Sequence, residues 1–297
     1  MRLAERQYGL VTLDQARALG LTDRQVRRKL ATGRLRPMDR VVYCLPGLPA
    51  SWEQSVIAAV LTAGEAALAS HATAAYLWGL VGLRPERIEI VMPRWDRAAR
   101  SFVVHESTDL APEDRAELRN IPLSGPARTV VDLGASAPWL VEQALDAGVR
   151  KRLLTLEGVA RVIGRVGRRG RRGVGVIRPL VEARAHWDGT TESELDDLFR
   201  RVLDQGGIPQ PTPQWQVHDA EGSFVCRRDF AYADRRVLVE LDSEAHHMDR
   251  YSFRRDRATQ NRTTLLGWRT LRYTWWDLVT RPQEVRAEIR AALSVPA

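Results

Sequence analysis

Cysteine occurs only at Cys44 and Cys226, and lysine only at Lys29 and Lys151. Two distant cysteines without metal-ligand spacing exclude a disulfide or zinc framework and point to a reducing, cytoplasmic setting. The shortage of lysine leaves nearly all positive charge to arginine, the better bidentate partner for phosphate. Long hydrophobic runs are missing too. The opening MRLAERQYG is charged from its second residue, so no secretion signal is expected. The most apolar stretch, residues 66–83, is rich in alanine and interrupted by His71, which suits buried helices and not a membrane span.

The chain has 297 residues, enough for two or three domains with a core each. Its net charge of +8 is unevenly spread. Residues 1–50 hold 10 basic against 4 acidic side chains, and residues 151–186 hold 10 against 2. Residues 51–150 and 187–297 are mildly negative. The two basic segments are where a polyanion would be held.

Residues 4–47 read as a small helical domain. A short helix near Ala4–Tyr8 comes first, then Thr12 caps a helix carrying Leu13, Ala16 and Leu19, and Gly20 ends it. Thr22 caps the next helix, with Val26 and Leu30 inward and Arg24, Arg27 and Arg28 outward. Helix, glycine turn and basic helix have the spacing of a helix-turn-helix, and LRPMDRVVYCLPG offers a basic strand and a short hairpin or wing.

In residues 51–150, WEQSVIAAVLTA, SHATAAYLWGL, ARTVVDLGA and LVEQALDAGVR read as helices, RIEIVMP and SFVVHES as strands. His71 and Asp132 have no evident chemical partner in sequence and are read as structural. GRVGRRGRRGVG, residues 164–175, is expected to be a flexible cationic loop whose Arg168, Arg169, Arg171 and Arg172 bind phosphate without reading bases.

From Thr190 the expected order is helix, three strands, helix, strand, helix. TESELDDLFRRVLDQGG carries the apolar stripe Leu195, Leu198, Phe199 and Val202. CRRDFAY and RVLVELD flank the turn Ala233-Asp234-Arg235 and form a hairpin. Strand alternation sends Val237, Val239 and Leu241 to a core, and Leu238, Glu240 and Asp242 to the other face, with Asp229 alongside. Three carboxylates on one wall repel each other unless something positive lies between them. A divalent cation is the usual answer, and a solvated face balanced by Arg227, Arg228, Arg235 and Arg236 is the alternative.

The run VTLDQARALGLTDRQVRRKLATGRLRPMDRVVYCLPG resembles the winged-helix N-terminal domain of AbiEi-family antitoxins, and SHATAAYLWGL and PARTVVDL resemble the middle part of AbiEi-related proteins. The resemblance implies DNA binding, with Arg24, Gln25, Arg27 and Arg28 on or near the major-groove face. SELDDLF, RRDFAY, VLVELDSEAHH, RRDRATQN and GWRTLRYTWWDL resemble the endonuclease-like family related to very-short-patch-repair (Vsr) endonucleases, of the PD-(D/E)XK fold. That likeness covers about residues 190–295. It implies Asp229 as a metal-binding aspartate, Glu240 as the acid of the second strand, and Asp242 where many relatives carry lysine. No lysine follows Lys151; in the Vsr type histidine chemistry substitutes, and His246 or His247 is suitably placed. Asp196 aligns with the helix carboxylate, with Glu192 as its rival. Arg254, Arg255 or Arg257 would stabilise charge on phosphate, Arg254 and Arg255 also meeting DNA.

The expectation is an α+β multidomain chain: a winged helix-turn-helix (1–50), an α/β AbiEi-like middle domain (51–186) and a restriction-endonuclease-like PD-(D/E)XK domain (187–297). Its expected function is that of a cytoplasmic, DNA-binding, Mg2+- or Mn2+-dependent endonuclease-like protein that hydrolyses or nicks phosphodiester bonds. Metal on Asp229, Glu240 and Asp242 would activate water, with His246 and Asp196 as further catalytic groups. The alternative is a catalytically inactive DNA-binding transcriptional regulator of the type IV antitoxin (AbiEi) type, with a cognate toxin as partner. No membrane partner is expected in either case.

Overall fold

The structure is a computed structural model that describes residues 2–95, 101–167, 172–187, 192–242 and 250–295. It is mixed α and β, with three separate sheets among the described residues, and divides into two compact units, Met1–Arg178 and Pro179–Ala297.

The first unit opens with α1 (Arg2–Arg6) and β1 (Leu10–Thr12). The helix stops short of the expected Tyr8 because Tyr8 and Gly9 take left-handed backbone, with φ of 54° and 81°. Then come α2 (Leu13–Ala18), α3 (Asp23–Ala31), β2 (Arg36–Pro37) and β3 (Val42–Cys44). The strands form an antiparallel sheet in the order β1-β3-β2, with Leu10 opposite Cys44 and Arg36 on its other side. Val11, Ala16, Val26, Leu35 and Tyr43 make the small core that seats the two helices. Full burial of side chains like Val26 and Leu35 contributes about 1.5–3 kcal/mol each. Leu19 was expected in this core and is instead 64% exposed, because it is the C-cap of α2 and points past the end of the apolar stripe.

The unit continues with α4 (Trp52–Ala63), β4 (Leu68–Ala69), α5 (His71–Leu77), β5 (Ile88–Met92), β6 (Phe102–Glu106), β7 (Arg115–Leu118) and β8 (Ile121–Ser124). Next are α6 (Pro126–Ser136), α7 (Val141–Arg150) and α8 (Leu156–Val166), and α9 (Val174–Trp187) begins in this unit and ends in the second. A five-stranded mixed sheet runs β6-β5-β4-β8-β7. The hairpin β7–β8 turns on Arg119 and Asn120, both left-handed, a two-residue turn that matches strand twist. Composition suggests a border at residue 50, yet the packing is continuous there. Leu10, Val42 and Cys44 join one buried cluster with Val56, Ile57, Ile90 and Leu123. The Gln54 amide, 3% exposed, donates to the Tyr8 carbonyl at 2.7 Å across the same join.

The second unit holds α10 (Glu192–Gln205), β9 (Thr212–His218), β10 (Phe224–Tyr232), β11 (Val237–Asp242), α11 (Arg250–Leu265), β12 (Arg269–Thr274), α12 (Trp275–Thr280) and α13 (Pro282–Ser294). Its sheet order is β12-β11-β10-β9, with only β11 and β12 parallel. One face packs Phe230, Tyr232, Val237, Val239 and Tyr273 against Leu195, Phe199 and Val202 of α10 and Val285 and Ile289 of α13. The other face buries Val217, Cys226, Ala231 and Leu238 under Trp215, Leu266 and Trp268. Glu240 and Asp242 follow Leu238 on that second face by strand alternation. Among the described residues no helix is long and apolar enough to cross a membrane.

Candidate functional site

The first candidate surface is built on two capping boxes. Thr12 Oγ1 accepts from Gln15 N while the Gln15 side chain takes the Thr12 N–H, and Thr22 and Gln25 repeat this at α3. Gly20, with φ of 89°, makes the turn between the helices. Arg17 then staples α2 to α3 by a bidentate fork, Nε to Asp23 Oδ1 at 2.8 Å and Nη2 to Asp23 Oδ2 at 3.0 Å. The fork holds the Asp23 carboxyl below its usual range and raises the Arg17 guanidinium further. With α2 and α3 fixed in this way, Arg24, Gln25, Arg27 and Arg28 lie exposed on α3. Gln25 is committed to the cap: its amide oxygen accepts from Thr22 N at 2.8 Å and from Thr22 Oγ1 at 3.1 Å. Arg34, Arg36 and Arg40 are exposed on and beside the β2–β3 hairpin. They extend the basic surface, and the signal for them in sequence is their bracketing of Pro37-Met38. Arg172 is exposed in the turn before α9, while Arg168, Arg169 and Arg171 lie outside the described residues.

The second candidate is the acidic wall of the C-terminal unit. The β10–β11 ladder pairs Tyr232 with Val237, Ala231 with Leu238 and Phe230 with Val239, and ends there. Beyond that point Asp229 Oδ2 accepts the Leu241 N–H at 2.8 Å, a side chain standing where a ladder carbonyl would be. Glu240 Oε1 accepts from Arg228 Nη1 at 2.8 Å, and the side chains are 24% and 11% exposed. Asp242 takes a bidentate fork from Arg272 on β12, at 2.9 and 2.6 Å. Burial pushes the Glu240 carboxyl up, assisted by Asp242 and Asp229 and opposed by Arg228 and Arg272.

Asp229, Glu240 and Asp242 were expected to share a metal ion. They do come to adjacent strands, but each carboxylate is engaged by donors of the chain itself, and Arg228 and Arg272 supply the positive charge that their repulsion demands. As arranged, these residues do not fit a divalent cation. Among the described residues no group of three or more His, Cys, Asp or Glu side chains is placed to hold one. Asp196 is half-buried on α10. His246 and His247 lie outside the described residues, as do the side chains of Glu192, Arg254 and Arg255; Arg257 is exposed on α11.

Two clusters of the middle region rest on groups that sequence left without partners. His71 is buried with a left-handed φ of 50°, its Nδ1 is 2.9 Å from Ser70 Oγ, and its ring stacks on His105 at 3.6 Å. Glu89 accepts from Ala72 N at 2.7 Å and sits 3.5 Å from His105 Nε2, an electrostatic contact whose geometry is not that of a hydrogen bond. Burial works to raise the Glu89 carboxyl, but His105, His71 and the Ala72 N–H outweigh it and hold it low. Asp132 accepts from Arg128 one helical turn earlier at 2.8 Å, and Arg128 also reaches Asp114 at 2.9 Å, all three buried. Arg165 closes this network on Asp114 and Glu113. These contacts give Asp132 a structural role.

Residues 1–46 match the family described as "Transcriptional regulator, AbiEi antitoxin". Two curated relatives are the uncharacterized proteins MT2308 of Mycobacterium tuberculosis (strain CDC 1551 / Oshkosh) and Rv2248 of Mycobacterium tuberculosis (strain ATCC 25618 / H37Rv). Each is 28% identical over 145 residues, covering 49% of this chain and 51% of the relative. The chain thus spans about half the length of the curated relatives it matches.

Proposed function

We propose that this chain is a DNA-binding transcriptional regulator of the AbiEi antitoxin type, with its N-terminal 46 residues acting as a winged helix. The observation that carries the reading is the basic face of α3: Arg24, Arg27 and Arg28 exposed on a helix that is capped at Thr22 and stapled by Arg17 to α2. The family match over the same residues supports it. In this reading α3 enters the major groove, the β2–β3 hairpin is the wing with Arg36 and Arg40 toward the backbone, and arginine contacts to phosphate supply most of the affinity. The antitoxin likeness also implies a cognate toxin as protein partner. Binding of full-length protein to labelled duplex DNA, in chelator and over a series of salt concentrations, tests it. The expected result is chelator-insensitive binding that weakens steeply with salt; no binding at low salt would overturn it.

A second reading, a Vsr-like endonuclease, is favoured by the helix, three strands, helix, strand order of the second unit and by Asp229 and Glu240 on adjacent strands. The pairing of Glu240 with Arg228 and of Asp242 with Arg272 speaks against it. Nicking of supercoiled plasmid that requires Mg2+ or Mn2+ and is lost in Asp229→Ala would restore it to first place.

A further inference from the structure

We propose that Arg228 is the resident cation of the acidic wall in the second unit, so that the wild-type chain takes no divalent ion there and loss of Arg228 opens a site for one. Five charged side chains gather around Glu240 where the β10–β11 ladder stops: Asp229, Glu240 and Asp242 against Arg228 and Arg272. Their formal charges leave a net of one negative. Arg272 is tied to Asp242 through both of its forked nitrogens, at 2.9 and 2.6 Å. Arg228, next to Asp229 in sequence, is the cation that donates to Glu240.

The fit of Arg228 is incomplete in a way that bears on what the wall could hold. Its Nη1 satisfies Glu240 Oε1, but Glu240 Oε2 and Arg228 Nε are both buried without a hydrogen-bond partner. A guanidinium offers two parallel donors to a carboxylate when the approach is coplanar, and here only one is used. The Arg228–Glu240 pair is therefore neutral while one acceptor of Glu240 is left over. Mn2+ takes a near-octahedral shell of oxygen ligands that water can complete, so it does not need both carboxylate oxygens aligned as a guanidinium fork does. With Arg228 neutralised, the remaining four groups carry a net of two negative charges, which one divalent ion would balance. All five groups belong to the second unit, whether or not the first unit binds DNA.

Mn2+ binding by full-length protein tests the proposal, read by the loss of the free Mn2+ electron paramagnetic resonance signal, with near-ultraviolet circular dichroism as the folding control. Wild type is expected to show no specific site at sub-millimolar Mn2+. Arg228→Met is expected to gain one site, at least about tenfold tighter than anything in wild type, and Arg228→Met/Glu240→Gln to lose it. Sub-millimolar binding by wild type that disappears in Glu240→Gln would overturn the proposal, as would a folded Arg228→Met chain with no gain. Should Arg228→Met fail to fold because Glu240 is left buried without its counter-charge, the double variant decides the matter: recovery of the fold supports the role of Arg228, and failure to recover refutes it.

Discussion

Replacing Arg128 by methionine removes the charge at the centre of the first unit while keeping much of the aliphatic stem. Arg128 is 1% exposed, and its guanidinium donates to Asp132 at 2.8 Å, Asp114 at 2.9 Å, Ser107 at 2.9 Å and the Asp109 carbonyl at 3.1 Å. Deleting one partner of a buried ion pair costs about 3–5 kcal/mol, because the other charge stays buried. Asp114 keeps Arg165, so the low end of that range, about 3 kcal/mol, is expected. With a urea m-value of about 2 kcal/mol/M for a domain of this kind, the midpoint should move down by roughly 1.5 M. The assay is urea unfolding of the full chain, fitted with separate transitions for the two units, only the first of which should shift. Arg128→Met/Asp132→Leu, which removes both charges, should recover part of the loss. A midpoint change equivalent to less than about 1 kcal/mol in the single variant would refute the view that Arg128 is an obligate counter-charge.

Thr22→Ala should cost about 1 kcal/mol, since it removes the acceptor for Gln25 N at the start of α3, measured as the thermal midpoint of the first unit. Gly134→Ala should cost about 1–3 kcal/mol in the same melt, because a Cβ there would lie 2.6 Å from the Gly173 carbonyl oxygen and backbone has little room to yield. The Glu89 carboxyl is held low in the folded chain, so its stabilisation is fully present above the unfolded carboxylate value and fades as pH falls through the depressed one. As pH falls from about 5 through the carboxylate range, Glu89→Gln should therefore lose less stability than wild type in parallel melts; equal losses would contradict the assignment.

The parts legible in the sequence were those governed by local rules. Caps at Thr12 and Thr22, the inward Val26, the α10 stripe and the alternation that splits Val237, Val239 and Leu241 from Leu238 all follow from periods of 3.6 and 2. Strands β1, β4, β7 and β8 were missed because they are two to four residues long and acquire their identity from neighbours across the sheet. The acidic wall was legible as a position but not as a state. Alternation puts Glu240 and Asp242 on one face, yet only the register that sets Glu240 opposite Arg272, and the end of the β10–β11 ladder, bring two arginines and a backbone N–H onto the carboxylates. His71 lacked a partner in sequence because His105 and Glu89 arrive from separate strands of the five-stranded sheet.

The role of α3 as a DNA-contacting surface is tested most directly by the salt dependence of duplex binding by wild type and Arg24→Ala/Arg28→Ala, followed by fluorescence anisotropy in chelator. Each phosphate contact contributes about 0.9 to the slope of log K against log salt. The double variant should bind more weakly and show a slope shallower by about 2, with its thermal midpoint unchanged because both side chains are exposed. An identical slope and affinity in the two proteins would contradict the account.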